Sequence, residues 1–237
     1  MTRTILAIDC SQRISTIVLS RGPIVYERSF EPANQAEREP FWDELRELCA
    51  EAFIEPWEFE AVAVVAGPGG FTGLRVSIAF AKAFALAREV PAIALGSAAV
   101  FAASDAARSG RGPWLVTLAS KSGSAWCARV TRGDDGSFIE EMGEVLDAIG
   151  FLPKVSAVAA AGGVVLSDEH LDPAIATVVR QADAHTRAIA VDPCALAALA
   201  QLALSRNATT DPFALAPIYP REPEAVTKWR ERHPPKP

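Results

Sequence analysis

The sequence predicts an α/β protein built from two copies of a β-β-β-α-β-α unit. Three observations point there. The run from Ala61 to Ala66 is short and wholly apolar, as in a strand buried on both faces of a mostly parallel sheet. Gly67-Pro68-Gly69-Gly70 then forms a tight turn into a helix. The same order of elements begins again after Ser109-Gly110-Arg111-Gly112-Pro113, a stretch of turn formers near the midpoint of the chain.

Thr4 to Asp9 reads as a strand, Ile14 to Ser20 as a second after the polar turn Ser11-Gln12-Arg13, and Ile24 to Phe30 as a third after Arg21-Gly22-Pro23. Short strands joined by tight turns make an antiparallel meander. A polar loop over Glu31 to Arg38 leads to a helix from about Pro40 to Phe53, with proline in the first turn, where its missing N–H is not needed. Phe41, Leu45, Leu48 and Ala52 share one face of it, with Trp42, Cys49 and Phe53 beside them. That stripe is wide for a helix covering one face of a sheet. After the glycine turn, Thr72 can cap a helix in which Leu74, Ile78, Ala81 and Ala85 recur at helical spacing to about Arg88. Ala92 to Leu95 and Ser97 to Ala107 add a strand and a small-residue helix.

Past the midpoint, Trp114 to Ala119, Ser124 to Thr131 and Ser137 to Met142 read as three strands, the last two joined by the turn Gly133-Asp134-Asp135-Gly136. A helix near Glu144 to Gly150, an apolar strand at Val155 to Ala160, the pair Gly162-Gly163 and a further helical segment follow. Asp192-Pro193 opens a helix over Cys194 to Ser205, and Pro217-Ile218-Tyr219 is expected to pack back on the body. The expected units are residues 1–108, carrying partner-binding helices, residues 109–221, and a proline-rich tail over 222–237 made basic by Lys228, Arg230, Arg232 and Lys236.

Hydrophobic residues make up 50% of the chain and charged residues 22%, a globular rather than a disordered composition. A net charge of −6 disfavours a direct grip on nucleic acid, because neutralised phosphates supply most of that affinity. No run approaches the length of a membrane span, and the apolar run before Asp9 is too short for a signal-peptide core, so a cytoplasmic protein without a membrane is expected. Cys10, Cys49, Cys127 and Cys194 are scattered, as reduced buried thiols are. His170, His185 and His233 form no HxxxH or HExxH, and no Ser or Cys has an evident His partner.

A glycine turn at a helix N-terminus can bind phosphate through its N–H groups. It can equally serve close packing, and this one matches neither G-x-x-x-x-G-K-[ST] nor G-x-G-x-x-G. Both readings stand on chemistry alone.

Three ordered motifs carry a specific resemblance. Gly67 to Arg75 resembles the GPGSFTGLR signature of the bacterial TsaB (YeaZ) family, with Gly70 in place of serine. Ile5-Leu6-Ala7-Ile8-Asp9-Cys10-Ser11 is similar to ILAIDTS, and Ala216-Pro217-Ile218-Tyr219-Pro220-Arg221 to PxYLR. The resemblance implies the duplicated, two-lobed, ribonuclease-H-like plan shared by actin, heat-shock chaperones and sugar kinases (the ASKHA fold), in which nucleotide lies between the lobes. On that plan Asp9 and Ser11 face phosphates and metal, and Gly162 and Gly163 the adenosine. Ala119 stands where the family's DAR motif has aspartate, and of the family's HSE only Glu37 remains, after Gln35 and Ala36. Asp168, Glu169 and His170 read as a polar cluster opening a helix. The HxxxH metal motif of the related TsaD subunit has no counterpart in the Pro40 to Phe53 helix.

These departures imply a subunit with no catalytic residue, no metal and no cofactor requirement of its own, ATP and Mg entering at the level of the complex. By resemblance it pairs with a TsaD-like subunit through the two helices of the first half, with Phe41, Trp42, Leu45, Leu74, Arg75, Ile78 and Lys82 at the interface. A TsaE-like ATPase then engages the pair, which forms N6-threonylcarbamoyladenosine at position 37 of tRNA, and tRNA is met only through the complex. The same helices would serve a homodimer in isolation. The alternative is an active ATP-dependent kinase-like member of the superfamily.

Overall fold

The structure is a computed structural model and describes residues 3–31, 40–110, 112–121, 123–221, 228–230 and 232–233. In the first half β1 (Thr4–Asp9), β2 (Ser15–Arg21) and β3 (Ile24–Phe30) form the meander, followed by α1 (Phe41–Ala52), β4 (Ala61–Gly67), α2 (Phe71–Arg88), β5 (Ala92–Gly96) and α3 (Ser97–Ser109). The second half runs β6 (Trp114–Ala119), β7 (Ser124–Arg132), β8 (Phe138–Glu140), β9 (Glu144–Asp147), α4 (Ala148–Ala160), β10 (Val164–Ser167), α5 (Pro173–Gln181), β11 (His185–Ala188) and α6 (Pro193–Ser205).

The sheets have strand orders β3-β2-β1-β4-β5 and β8-β7-β6-β10-β11, with β9 also beside β7. Strand for strand these are the same order: an antiparallel meander whose first strand pairs in parallel with a later one. The α/β class and the duplicated plan expected from the sequence are thus present in the backbone.

Helices α1 and α2 cover one face of the first sheet, where Phe41, Leu45, Leu48, Leu74 and Ile78 meet Leu6, Ile8, Val62 and Val64. Its other face, Ile5, Ala7, Ala63 and Val65, is covered by Leu196, Ala197, Ala200 and Leu204 of α6. Ala98, Phe101, Ala102 and Ala106 of α3 meanwhile pack on Trp114, Val116 and Trp126 of the second sheet. Each half therefore lends its last helix to the other half's sheet. The division at residue 109 remains a proposal about folding units, and α3 and α6 cross it.

Two elements of the second half differ from the sequence expectation. Glu144–Asp147 is a strand, and Val155 to Ala160 is the end of a helix rather than a strand. Asp147 caps that helix by accepting from the Gly150 N–H at 2.9 Å, and Phe151, Val155 and Val158 then face the core at helical spacing. The strand comes later, as β10. Gly162-Gly163 consequently precedes a strand instead of following one, and a Cβ at Gly163 would run into the Pro113 carbonyl oxygen and Val158.

A buried ion pair joins the crossed helix α3 to the second sheet. Asp105 is fully buried; its carboxylate accepts from Trp114 Nε1 at 2.9 Å, from Ser109 Oγ at 3.1 Å and from Arg187 Nη1, 2.9 Å from both oxygens. Burial alone would raise its pKa, but the hydrogen bonds from Trp114, Arg187 and Ser109 and the charge of Arg187 outweigh that and hold it below the ordinary carboxylate value. A carboxyl with a depressed folded-state pKa stabilises the fold above its unfolded pKa, and that stability is lost as pH falls through the folded value. Asp105→Ala should lower stability at pH 7 by about 2–3 kcal/mol, since bonds to a buried charge are lost while Arg187 can turn to solvent. Urea unfolding from pH 7 down to about 3 should show the gap between variant and wild type narrowing toward acid, as protonation removes the charge.

Candidate functional site

The β4–α2 turn is packed against the β1–β2 turn, and this accounts for its glycines. The Gly70 N–H donates to the Ser11 carbonyl at 2.7 Å. A Cβ on Gly69 would run into Ser11, and one on Gly73 into the Cys10 carbonyl oxygen, so these positions take only glycine. Gly67 has φ +115°, and a Cβ there would lie 2.8 Å from the Ile218 carbonyl oxygen. Gly70 differs, since its Cβ would meet only Ser11 O at 3.6 Å. It is the N-cap of α2 and supplies no side-chain cap; the helix begins at Phe71, and Thr72 lies inside it rather than capping it.

The C-terminal segment closes over the same turn. The Ile218 N–H donates to the Ala66 carbonyl at 2.7 Å, Leu215 is buried among α1 and α2, and Arg221 reaches Ser124 at the start of β7. Tyr219 OH accepts from Arg75 Nε at 3.0 Å, and the Arg75 guanidinium lies 3.6 Å from the centre of the Phe71 ring. All three signature segments therefore meet at one end of β1 and β4.

Beyond these strand ends a cleft of about 1110 Å³ lies between the halves, lined by Ser11, Gln12, Arg13, Gly69, Ala119, Trp126, Asp168 and His170 among others. Its side chains do not fit a Mg–nucleotide. Asp9 is fully buried and is not among the residues lining the cleft; burial pushes its carboxyl above the ordinary value against the hydrogen bonds from Ser11. Ala119 offers no carboxylate; its N–H donates to Asp168 Oδ2 at 3.0 Å, while Asp168 Oδ1 accepts from the His170 N–H at 2.9 Å. Asp168 thus closes the strand end instead of opening a helix. Arg13 is paired with Glu31 at 3.5 Å, and Glu169 and Asp168 add negative charge. Gly162 and Gly163, expected on the adenosine side, lie at the opposite end of β10 and do not line the cleft. Among the described residues no group of three or more His, Cys, Asp or Glu is placed to hold a metal ion. Burial pushes the Cys127 thiol up to about 11, and Cys10 and Cys49 are also buried; Cys194 is exposed, contrary to expectation.

The expected interface divides in two. Phe41 (1% exposed), Leu45 (7%), Leu74 (0%) and Ile78 (4%) are core residues and cannot meet a partner. Trp42 is 52% exposed, packed edge-on against Phe41 and Phe80 at 5.3 and 5.5 Å; Arg75 is exposed and Lys82 half-buried. The face missed in the sequence is the outer one of α2. Thr72, Val76, Ala79, Ala83 and Leu86 recur at alternating four- and three-residue steps, a heptad seam opposite the buried one. Ala79, Ala83 and Leu86 are exposed. Small residues on such a seam let a second helix approach closely. Glu37, Gln35 and Ala36 lie outside the described residues.

Residues 31–169 match the profile of the family described as TsaD: tRNA N6-adenosine threonylcarbamoyltransferase. The chain belongs to the TsaD family. Within it the resemblance is to TsaB (YeaZ). The tRNA threonylcarbamoyladenosine biosynthesis protein TsaB of Buchnera aphidicola subsp. Acyrthosiphon pisum (strain APS) is 21% identical over 146 residues, 62% of this chain and 66% of that protein, just under two thirds of its length. YeaZ from Pseudomonas aeruginosa superposes with a TM-score of 0.75 at 21% identity over 92% of this chain and 99% of that one. A P. aeruginosa protein described as similar to peptidase YeaZ gives 0.76 at 20% identity over 92% and 100%. These two structures share the fold of this TsaB-like chain. Among its described residues no helix is long and apolar enough to cross a membrane.

The packing of the turn sets two opposite expectations for stability. Gly73→Ala forces a methyl into the Cys10 carbonyl and should destabilise the fold by about 1–3 kcal/mol. Gly70→Ser fits the available space, supplies the missing cap and restricts the unfolded chain, and should stabilise by about 0.5–1 kcal/mol. Paired urea titrations measure both; equal effects at the two positions would refute this account of the turn.

Proposed function

We propose that this chain is a non-catalytic subunit that pairs with a TsaD-type protein in the formation of N6-threonylcarbamoyladenosine at position 37 of tRNA. One observation carries the reading: α2 has two heptad seams, and the outer one, Val76, Ala79, Ala83 and Leu86, has no partner helix among the described residues. Helix α1 borders it with Trp42, so the pair presents a contiguous apolar surface with an aromatic anchor. The cleft argues in the same direction, since Glu31, Asp168 and Glu169 line it and Ala119 offers no carboxylate, a poor setting for phosphate transfer. Catalysis would then rest with the partner. A TsaE-type ATPase, with its ATP and Mg, and the tRNA itself would join at the level of the complex, while in isolation the seam would pair with a second copy.

Size-exclusion chromatography with light scattering, on this chain mixed with the TsaD-type protein of the same organism, should give a one-to-one complex. Ala83→Glu places a carboxylate on the seam and should abolish the complex. Trp42→Ala should weaken it by roughly 1–4 kcal/mol, the range of hot-spot truncation. Absence of a complex, or pairing unaffected by Ala83→Glu, would overturn the reading.

A further inference from the structure

The pairing reading leaves one feature of the outer face unused: the cluster of Phe71, Arg75 and Tyr219, in which the glycine-turn and C-terminal signature segments touch. We propose that Arg75 is a preorganised receptor for a carboxylate on the partner's helix, and that Tyr219 positions it. The inference rests on the pairing reading and adds the chemistry of the partner to it.

Arg75 is exposed, yet its guanidinium is held by two residues, Phe71 and Tyr219. It lies 3.6 Å from the centre of the Phe71 ring and 5.9 Å from that of Tyr219, the two rings are 5.6 Å apart, and Nε donates to Tyr219 OH at 3.0 Å. A guanidinium has five N–H donors in a rigid fork, and this arrangement uses one of them. Among the described residues the two terminal nitrogens have no acceptor and no carboxylate lies within ion-pair distance. Tethering the C-terminal segment needs only the single bond to Tyr219. Stacking, in addition, fixes the plane of the fork, which lowers the entropy lost when a carboxylate is gripped by both terminal nitrogens.

The position of the cluster identifies the ligand. Arg75 and Lys82 are seven residues apart and flank the outer seam of α2, where a paired helix would place its own flanking residues. The Lys82 ammonium is likewise bonded to a neutral acceptor, the Phe213 carbonyl at 2.9 Å, and α2 contains no acidic residue. The surface thus carries two fixed, uncompensated cations beside an apolar seam. Its complement is an amphipathic helix with a small or apolar stripe and carboxylates spaced by a heptad along one edge. A phosphate ligand fits less well, since the chain carries a net charge of −6 and the seam beside Arg75 is apolar.

The dissociation constant of the complex with the TsaD-type protein, measured by calorimetry between about 50 and 500 mM NaCl, tests this. Wild-type affinity should fall with salt. Arg75→Lys keeps the charge but loses the fork and the stack, and should weaken pairing about tenfold or more. Tyr219→Phe should weaken it severalfold and flatten the salt dependence while leaving the melting temperature of the isolated chain unchanged. If Ala83→Glu abolishes pairing but Arg75→Lys and Tyr219→Phe leave both affinity and salt dependence at wild-type values, the receptor is refuted and the pairing reading stands. If wild type forms no complex, both fall. Normal pairing by Arg75→Lys with loss of tRNA binding by the complex would assign the anion to a phosphate and overturn the carboxylate.

Discussion

One buried carboxylate holds the two halves of this molecule in register. Asp105 projects from α3, the last helix of the first half, into bonds with Trp114 and Arg187 of the second sheet. Its neighbour Ser104 accepts the Asp192 N–H at 2.9 Å, so the same turn of α3 also fixes the start of α6. That helix lies on the first sheet. A charge in so dry a position is tolerated because both its oxygens are hydrogen-bonded, by Trp114 of β6, by Arg187 of β11 and by Ser109 of α3 itself. The cleft, the strand ends that line it and the turn beneath α2 all depend on this alignment of the sheets.

The three signature segments lie far apart in sequence and share one location. Cys10 and Ser11 end β1, the glycines follow β4, and Ile218 and Tyr219 return from the C-terminal side to cover both. Each glycine of the turn faces a backbone carbonyl from one of the other two segments or, at Gly70, stands clear of one. The turn's spare N–H is spent on Ser11, which is why a motif that could cradle phosphate becomes a packing device. The outer face of α2 starts from that rigid point.

Most of the fold was legible because the first half announces itself: alternating short strands, a buried valine run and helices with one clear apolar stripe. The second half was harder where one apolar stretch served either period. Val155 to Ala160 reads as a strand by composition, and only the cap at Asp147 and the core contacts of Phe151 settle it as a helix. Gly162-Gly163 was misplaced with it. The interface residues failed for a different reason. Apolar side chains at helical spacing mark the face that is buried, so Phe41, Leu45, Leu74 and Ile78 stood out and proved to be core. The outer seam is made of alanines, whose small apolar area hides it; the signal that could have found it is the second four-three spacing through Val76, Ala79, Ala83 and Leu86. The contact between Arg75 and Tyr219 joins residues far apart in the chain, and local pattern has no means of showing it.

The exchange of α3 and α6 between the sheets has a consequence for how the molecule can be assembled. A chain severed at Gly110 would not give two autonomous domains. The leading fragment would carry a helix whose bed is on the trailing one, and the trailing fragment would carry the helix that seals the leading sheet. Each piece would expose an apolar sheet face until it met the other, and the native fold would return only by complementation between fragments.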